Sequence, residues 1–156
     1  MEYLVDTYAE QAGRGDLRPA RGTPDYRRYQ YWMHYAEGSL MPLMLLSLVF
    51  LRLPKAPMPF LVRKVVEQVS KRTMSSFVTP QVTNHLEHVE RALGESLWFA
   101  GAKLTAADIQ MSFPIEAAAA RAGLDTRYPK LTAYRERIKA LPAYQQALAR
   151  GGALKL

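Results

Sequence analysis

Cysteine is absent from the 156 residues, which removes disulfides, thiolate metal sites and a cysteine nucleophile together. A chain without thiols suits a reducing compartment, and the cytoplasm is the expected location. Acidic residues are the minority, 14 Asp and Glu against 21 Lys and Arg, leaving a formal charge of +7. That balance can draw nucleic acid, anionic membranes or small anions. The cations are scattered, however, and neither a basic arm nor a nucleic-acid motif accompanies them, so no nucleic-acid partner is expected. No phosphate-cradling Gly-rich loop occurs, and no Gly-x-Ser-x-Gly elbow of a serine hydrolase. Long apolar runs are missing as well. The stretch Leu40 to Leu53 reads as too short to span a bilayer and contains Pro42, and Met1 to Asp6 is no signal peptide. No membrane partner is expected. Strict apolar–polar alternation is lacking, which leaves nothing from which to build a sheet.

What remains is helical. A chain of 156 residues suits one domain that buries roughly 70% of its unfolded surface. Its organising stretch runs from Gly101 to Leu124. Thr105 reads as an N-cap accepting from the amide of Asp108, with the Asp108 carboxylate reaching back to the Thr105 amide in a shortened capping box. Leu104 and Ile109 are placed as a hydrophobic staple. Gly123 suits the left-handed position past the helix end, covered by Leu124. Between these signals Ala117 to Ala120 offers small, apolar side chains, so this helix is expected at the centre of a bundle.

Around it the chain reads as follows. Tyr3, Leu4 and Tyr8 can share one side of a short N-terminal helix, and residues 13 to 24 are a polar linker. Thr23, Pro24 and Asp25 start the first long helix with a cap, a proline at its first position and an acid at the positive end of the dipole. Tyr26, Tyr29, Met33, Leu40, Met44, Leu48 and Leu51 form one apolar stripe. A second stripe, Tyr31, His34, Tyr35, Gly38 and Pro42, carries hydroxyls, an imidazole, accessible backbone and a kink at the proline. Pro54 and Pro57 break the chain. Val62, Val65, Val66, Val69, Thr73 and Phe77 recur at helical spacing, with Arg63, Glu67 and Lys71 set for i,i+4 pairs. Thr79 and Pro80 repeat the cap-and-proline start, before Val82, Leu86, Val89 and Leu93. Pro129 opens a helix with Leu131, Tyr134, Ile138 and Leu141 inward, and Pro142 opens a last one through Tyr144 and Leu148. The tail after Gly152 is expected to fray. The fold class is therefore all-α, a bundle of about five to six helices.

Three constellations are candidates for chemistry. His85 and His88 lie at i,i+3 beside Glu87 and Glu90, but no third or fourth metal ligand is specified, so a solvated polar face is expected and no metal. Asp108 sits three residues past a cap, where its role is structural. The stripe Tyr31, His34, Tyr35, Gly38, Pro42 is the binding candidate; the alternative is a packing face against another subunit.

Gly101-x-x-Leu-Thr-x-x-Asp108 followed by an apolar run resembles the capping motif in the all-helical C-terminal domain of cytosolic glutathione transferases. The segment Tyr31-Trp-Met-His-Tyr-Ala-Glu-Gly-Ser-Leu-Met-Pro42 resembles the first long helix of that domain in bacterial and fungal members. Glu2-Tyr-Leu-x-x-x-Tyr8 is similar to the end of their thioredoxin-like domain. The resemblance implies that residues 1–23 are the remnant of that domain's last helix plus linker, and that residues 24–156 are the helical domain. It implies a homodimer, a small electrophilic substrate, and glutathione bound mainly by the domain not present here. By the same resemblance His34 falls near glutathione held in the neighbouring subunit. Tyr35, Ser39 and Pro42 then line the electrophile pocket, and the thiol-activating residue lies outside this chain, which is inactive alone. The alternative is a free-standing helical interaction module, since related domains are attached to translation factors and tRNA synthetases.

Overall fold

Two long rods cross prolines without ending there. The computed structural model describes residues 1–121, 123–124 and 126–154. The first rod is α2 (Pro24–Tyr35), a widened π turn (Ala36–Leu40), α3 (Met41–Arg52) and a 3-10 turn (Leu53–Lys55). The second is α4 (Phe60–Thr73), a π turn (Met74–Val78) and α5 (Thr79–Glu95). Before them lies α1 (Glu2–Leu4), extended by a π turn (Val5–Ala9); after them come α6 (Ala106–Arg121), α7 (Pro129–Ala140) and α8 (Pro142–Gly151). One isolated bridge, Trp98 with Gly101, is the only β pairing among the described residues.

A proline inside a helix removes one N–H and crowds the carbonyl four residues back. Pro42 and Pro80 each stand two residues past a widened turn, a form that relieves that clash. Where a kink at Pro42 was expected, the helix carries a widened turn, Ala36–Leu40. The new start at Thr79 is corrected: the residue before it is already helical, Thr79 makes no cap, and α4 continues into α5. The length expectation for Leu40 to Leu53 is corrected too. Pro24–Lys55 is one helix of 32 residues, by length and composition alone long and apolar enough to cross a membrane. Its stripe of Tyr29, Met33, Leu40 and Met44 is nevertheless buried in the core, and α2 and α3 both pack on α6.

The helix α6 is the hub. It packs against α2, α3 and α7 and buries Ala106, Ala107, Met111, Ile115, Ala117 and Ala118. Leu104 packs on the core while Ile109 stays exposed. The start of α6 departs from the expected capping box in one respect. The Thr105 amide does donate to Asp108 Oδ2 at 2.8 Å, but the Thr105 hydroxyl also donates to that oxygen, at 2.9 Å. Asp108 N–H bonds the Thr105 carbonyl instead. Two long-range bonds complete the joint. Phe99 N–H donates to Asp108 Oδ1 at 2.8 Å, and the Tyr134 hydroxyl donates to the Asp108 carbonyl at 2.6 Å. Burial raises the Asp108 pKa, and the donors from Phe99 and Thr105 pull it back in part. At the far end Gly123 has the expected positive φ of 72°.

Side chains from other helices fasten α7. Glu90 accepts from the free amides of Lys130 and Leu131, both at 2.8 Å, a cap delivered across the bundle. Arg135 forms a two-pronged pair with Glu116 at 2.8 Å per prong.

Two predicted faces are corrected. In the N-terminal helix the buried residues are Val5 and Ala9, while Tyr3, Leu4 and Tyr8 are exposed. In α4 the valine stripe does not enter the core. Leu61, Val65 and Val69 are 76%, 62% and 52% exposed, and the helix buries only Ser70. Among the described residues Arg63, Glu67 and Lys71 form no ion pair with one another.

Candidate binding groove on α2

The cap that starts α2 is the predicted one: the Thr23 hydroxyl oxygen accepts from the Tyr26 amide at 3.2 Å. From there the helix turns Tyr29, Trp32, Met33 and Tyr35 inward, and the residues between them face outward. Five of the six predicted site residues, Tyr31, His34, Tyr35, Gly38 and Ser39, line one open groove of about 630 Å³ together with Gln30. Pro42 lies further along α3 and is not among its lining residues. Next to it, His34 and Gly38 also border a recess of about 470 Å³ that reaches Met1, Glu2 and Gln110. Gln110 on α6 donates to the Glu37 carboxylate at 2.9 Å, which ties that edge to the hub. Beyond its chain neighbours and its own helix backbone, no described atom stands within 4 Å of where a Gly38 Cβ would lie, so the glycine leaves open space on that side of the helix.

The tyrosines are positioned by partners that the sequence reading set aside. Tyr31 is hydrogen-bonded to His88 Nε2 at 2.9 Å, and Tyr35 to His85 Nδ1. The expectation of a solvated face at His85 and His88 is therefore corrected: burial lowers both pKa values, with His88 adding to the effect at His85 and Arg91 at His88. Burial likewise raises the Tyr31 and Tyr35 hydroxyls, so both stay protonated at neutral pH. The signal for this ladder is present in the sequence. Tyr31 and Tyr35 are one turn apart on α2, and His85 and His88 are one turn apart on α5. Among the described residues no group of three or more His, Cys, Asp or Glu gathers around a possible metal ion.

The groove offers an aromatic and imidazole wall, a hydroxyl at Ser39 and open space at Gly38, a lining suited to holding a small, partly apolar molecule. It contains no nucleophile–base pair of the kind a covalent mechanism needs. A hub helix fixed at Thr105 and Asp108, with an open groove along the first long helix, thus defines an all-helical domain.

Comparison with known proteins gives that class its family. Residues 57–150 match the glutathione S-transferase C-terminal domain family. Glutathione S-transferase 3 of Schizosaccharomyces pombe is 36% identical over 119 residues, covering 76% of this chain and 47% of the relative. Glutathione S-transferase 1 of Saccharomyces cerevisiae is 25% identical over 126 residues, covering 80% and 54%. The fold is similar to that of a glutathione S-transferase from Actinobacillus pleuropneumoniae, with a TM-score of 0.70 at 25% identity over 96% of this chain and 60% of that one. It is also similar to a sphingomonad glutathione S-transferase complexed with glutathione, at a TM-score of 0.66, 23% identity, and 97% and 67% coverage. The chain belongs to the glutathione S-transferase family, in its C-terminal domain. It spans about half the length of the curated relatives it matches.

Proposed function

We propose that this chain is the electrophile-facing and dimer-forming half of a cytoplasmic glutathione transferase that conjugates glutathione to small electrophiles in detoxification. In this reading residues 24–156 are the helical domain, and residues 1–23 are the end of a thioredoxin-like domain and its linker. Glutathione is held mainly by that other domain, which also supplies the residue that stabilises the thiolate. No catalytic residue is assigned to these 156 residues, and the chain alone is inactive. The observation that carries the reading is the convergence of Tyr31, His34, Tyr35, Gly38 and Ser39 on one groove. Pro42, outside this lining, has no part in the groove here, and the proposed role of His34 is to meet glutathione of the neighbouring subunit.

An assay of aryl halide and glutathione tests this. The isolated chain is expected to add nothing to the uncatalysed rate. Fused to the part of the fission-yeast relative that lies outside the match, it is expected to turn over, with Gly38→Leu raising KM for the halide and His34→Ala raising KM for glutathione, each by more than it lowers kcat. Turnover by the isolated chain, or a fusion indifferent to both substitutions, would overturn the proposal.

For the dimer, the supporting observation is the exposed stripe Leu61, Val65, Val69 on α4. A two-fold interface needs one patch that complements itself, and this stripe is bordered by both signs of charge at Arg63, Glu67 and Lys71. The same face favours the second reading, a free-standing interaction module. Light scattering over a range of concentrations separates them. A dimer that Val65→Asp with Val69→Asp converts to a monomer supports the transferase, and a monomer in both cases supports the module.

A further inference from the structure

A cation at the far end of α6 has no counter-charge. Arg121, in the last turn of that helix, donates from Nη1 to the Met44 carbonyl at 3.0 Å. Its Nε is buried and has no partner, and among the described residues it forms no ion pair. Burial and the neighbouring Arg52 both work against its positive charge. A guanidinium drawn out of water needs an anion or several acceptors in return, and this one has a single carbonyl. The edge left open runs from Nε to Nη2. That is the edge with which Arg135 grips both oxygens of Glu116 elsewhere in the molecule.

Arg121 lines a cavity of about 200 Å³ between α3, α5 and the end of α6. Ser47 of α3 and Thr79 and Thr83 of α5 line it too, and none of these three hydroxyls makes a hydrogen bond among the described residues. Ser47 is only 4% exposed, and a hydroxyl buried that deeply is ordinarily paired. Arg127, over the Tyr128 ring at 5.3 Å, adds a second guanidinium. Among the described residues no carboxylate reaches the lining. The other part of the wall is apolar: Val82 and Leu86, one turn apart on α5, with Met74.

We propose that this cavity binds a short aliphatic carboxylate of about four or five carbons, its acid group on Arg121 and Ser47 and its tail against Met74, Val82 and Leu86. The planar fork of a guanidinium matches both oxygens of a carboxylate by paired hydrogen bonds. The Ser47 hydroxyl supplies a further donor from the facing helix. A bare inorganic anion leaves the apolar wall wet, and a neutral chain leaves the cation unanswered. Size sets the length of the tail. A volume of about 200 Å³ is the share of liquid held by roughly six or seven waters, the number of heavy atoms in butyrate or valerate, and lies below the usual span of drug-sized sites. The site is independent of the transferase reading. Gln110, which borders the recess beside the groove, stands eleven residues before Arg121 on α6, roughly 16 Å at helical rise.

Calorimetry on the full chain at constant ionic strength tests this with butyrate as the probe and butyramide, inorganic phosphate and octanoate as comparisons. Butyrate is expected to saturate one site and to bind at least about fivefold tighter than each of the others. Ser47→Ala should weaken it about threefold or more without lowering Tm, because alanine leaves no unpaired hydroxyl behind. Arg121→Gln should weaken it about tenfold. His34→Ala in the groove and Arg91→Gln, on α5 outside the lining, should change it by less than about twofold. Ser47→Ala decides the matter if Arg121→Gln does not fold. Butyramide binding as tightly would reduce the cavity to an apolar hole, phosphate binding as tightly would leave a charge effect alone, and tighter octanoate would move the site to open surface. Any of these overturns the assignment, as would an absence of saturation, full affinity in Ser47→Ala, or equal losses in Arg91→Gln and Arg121→Gln.

Discussion

Phe99 and Asp108 are joined across nine residues, the amide of the first donating to Oδ1 of the second at 2.8 Å. Thr105 occupies the other carboxylate oxygen twice, so one buried acid closes the loop that carries Trp98, Phe99 and Gly101 onto the hub. Removing it strands the buried amides of Phe99 and Thr105, each worth on the order of 1–3 kcal/mol when left unpaired. Asp108→Ala is expected to cost about 3 kcal/mol or more in urea unfolding, and Asp108→Asn less, because it keeps an acceptor. A loss below about 1 kcal/mol for the alanine variant would contradict this role.

Gly101 makes a close approach in the same loop. Its φ is +136°, and a Cβ there would lie 3.0 Å from Asp25 Oδ2. Gly101→Ala therefore combines backbone strain with a clash against the first turn of α2, and a loss of about 1–3 kcal/mol is expected. Thermal melts would show it as a lowered Tm, with Gly94→Ala, at an open helical position, neutral or stabilising by comparison.

The cross-bundle cap on α7 gives a local prediction. Glu90→Ala leaves two N-terminal amides without their carboxylate, and about 1–2 kcal/mol should be lost. Hydrogen exchange should accelerate at Lys130 and Leu131 before it does in α6. Uniform acceleration throughout would mean that the cap is not acting locally.

Acid should loosen the tyrosine–histidine ladder. His85 and His88 have folded-state pKa values below the usual imidazole value, burial being the main cause. As pH falls the unfolded chain therefore takes up protons first. The stability these groups hold is complete above about pH 6.5 and is lost as pH drops through the imidazole range toward the folded values. The urea midpoint should fall between about pH 7 and pH 5, and His85→Gln with His88→Gln should flatten that segment of the curve. An unchanged slope in the double variant would refute the assignment.

The sequence was most legible where the chemistry is local. Thr23 with Pro24, Thr105 with Asp108, and Gly123 each announce a helix end through neighbours within four residues, and the ends fall there, although the Thr105 hydroxyl donates to the Asp108 carboxylate instead of accepting its amide. The groove could be read because five of its six lining residues share one helix face. The bond from Phe99 to Asp108 and the ladder from Tyr31 and Tyr35 to His88 and His85 join residues brought together only by packing, so spacing alone could not pair them. The α4 stripe was misread for a different reason. Periodicity marks an apolar face but does not say whether the chain itself or a second molecule covers it. Pro80 misled by signalling a helix start, where a widened turn instead carries the helix through.

Ala36, Leu40 and Met44 are all fully buried although they follow one another at intervals of four. In an unbroken α-helix each such step drifts about 40° around the axis, which over two steps carries the third residue toward the edge of a core-facing stripe roughly 100° wide. The broad winding between Ala36 and Leu40 cancels that drift. Gly38 and Ser39 belong to this phase-correcting coil, so losing or gaining one residue there would rotate all of α3 by about 100°. This segment is consequently closed to insertions and deletions, and the groove lining can diverge among descendants only by exchanging one side chain for another at constant length.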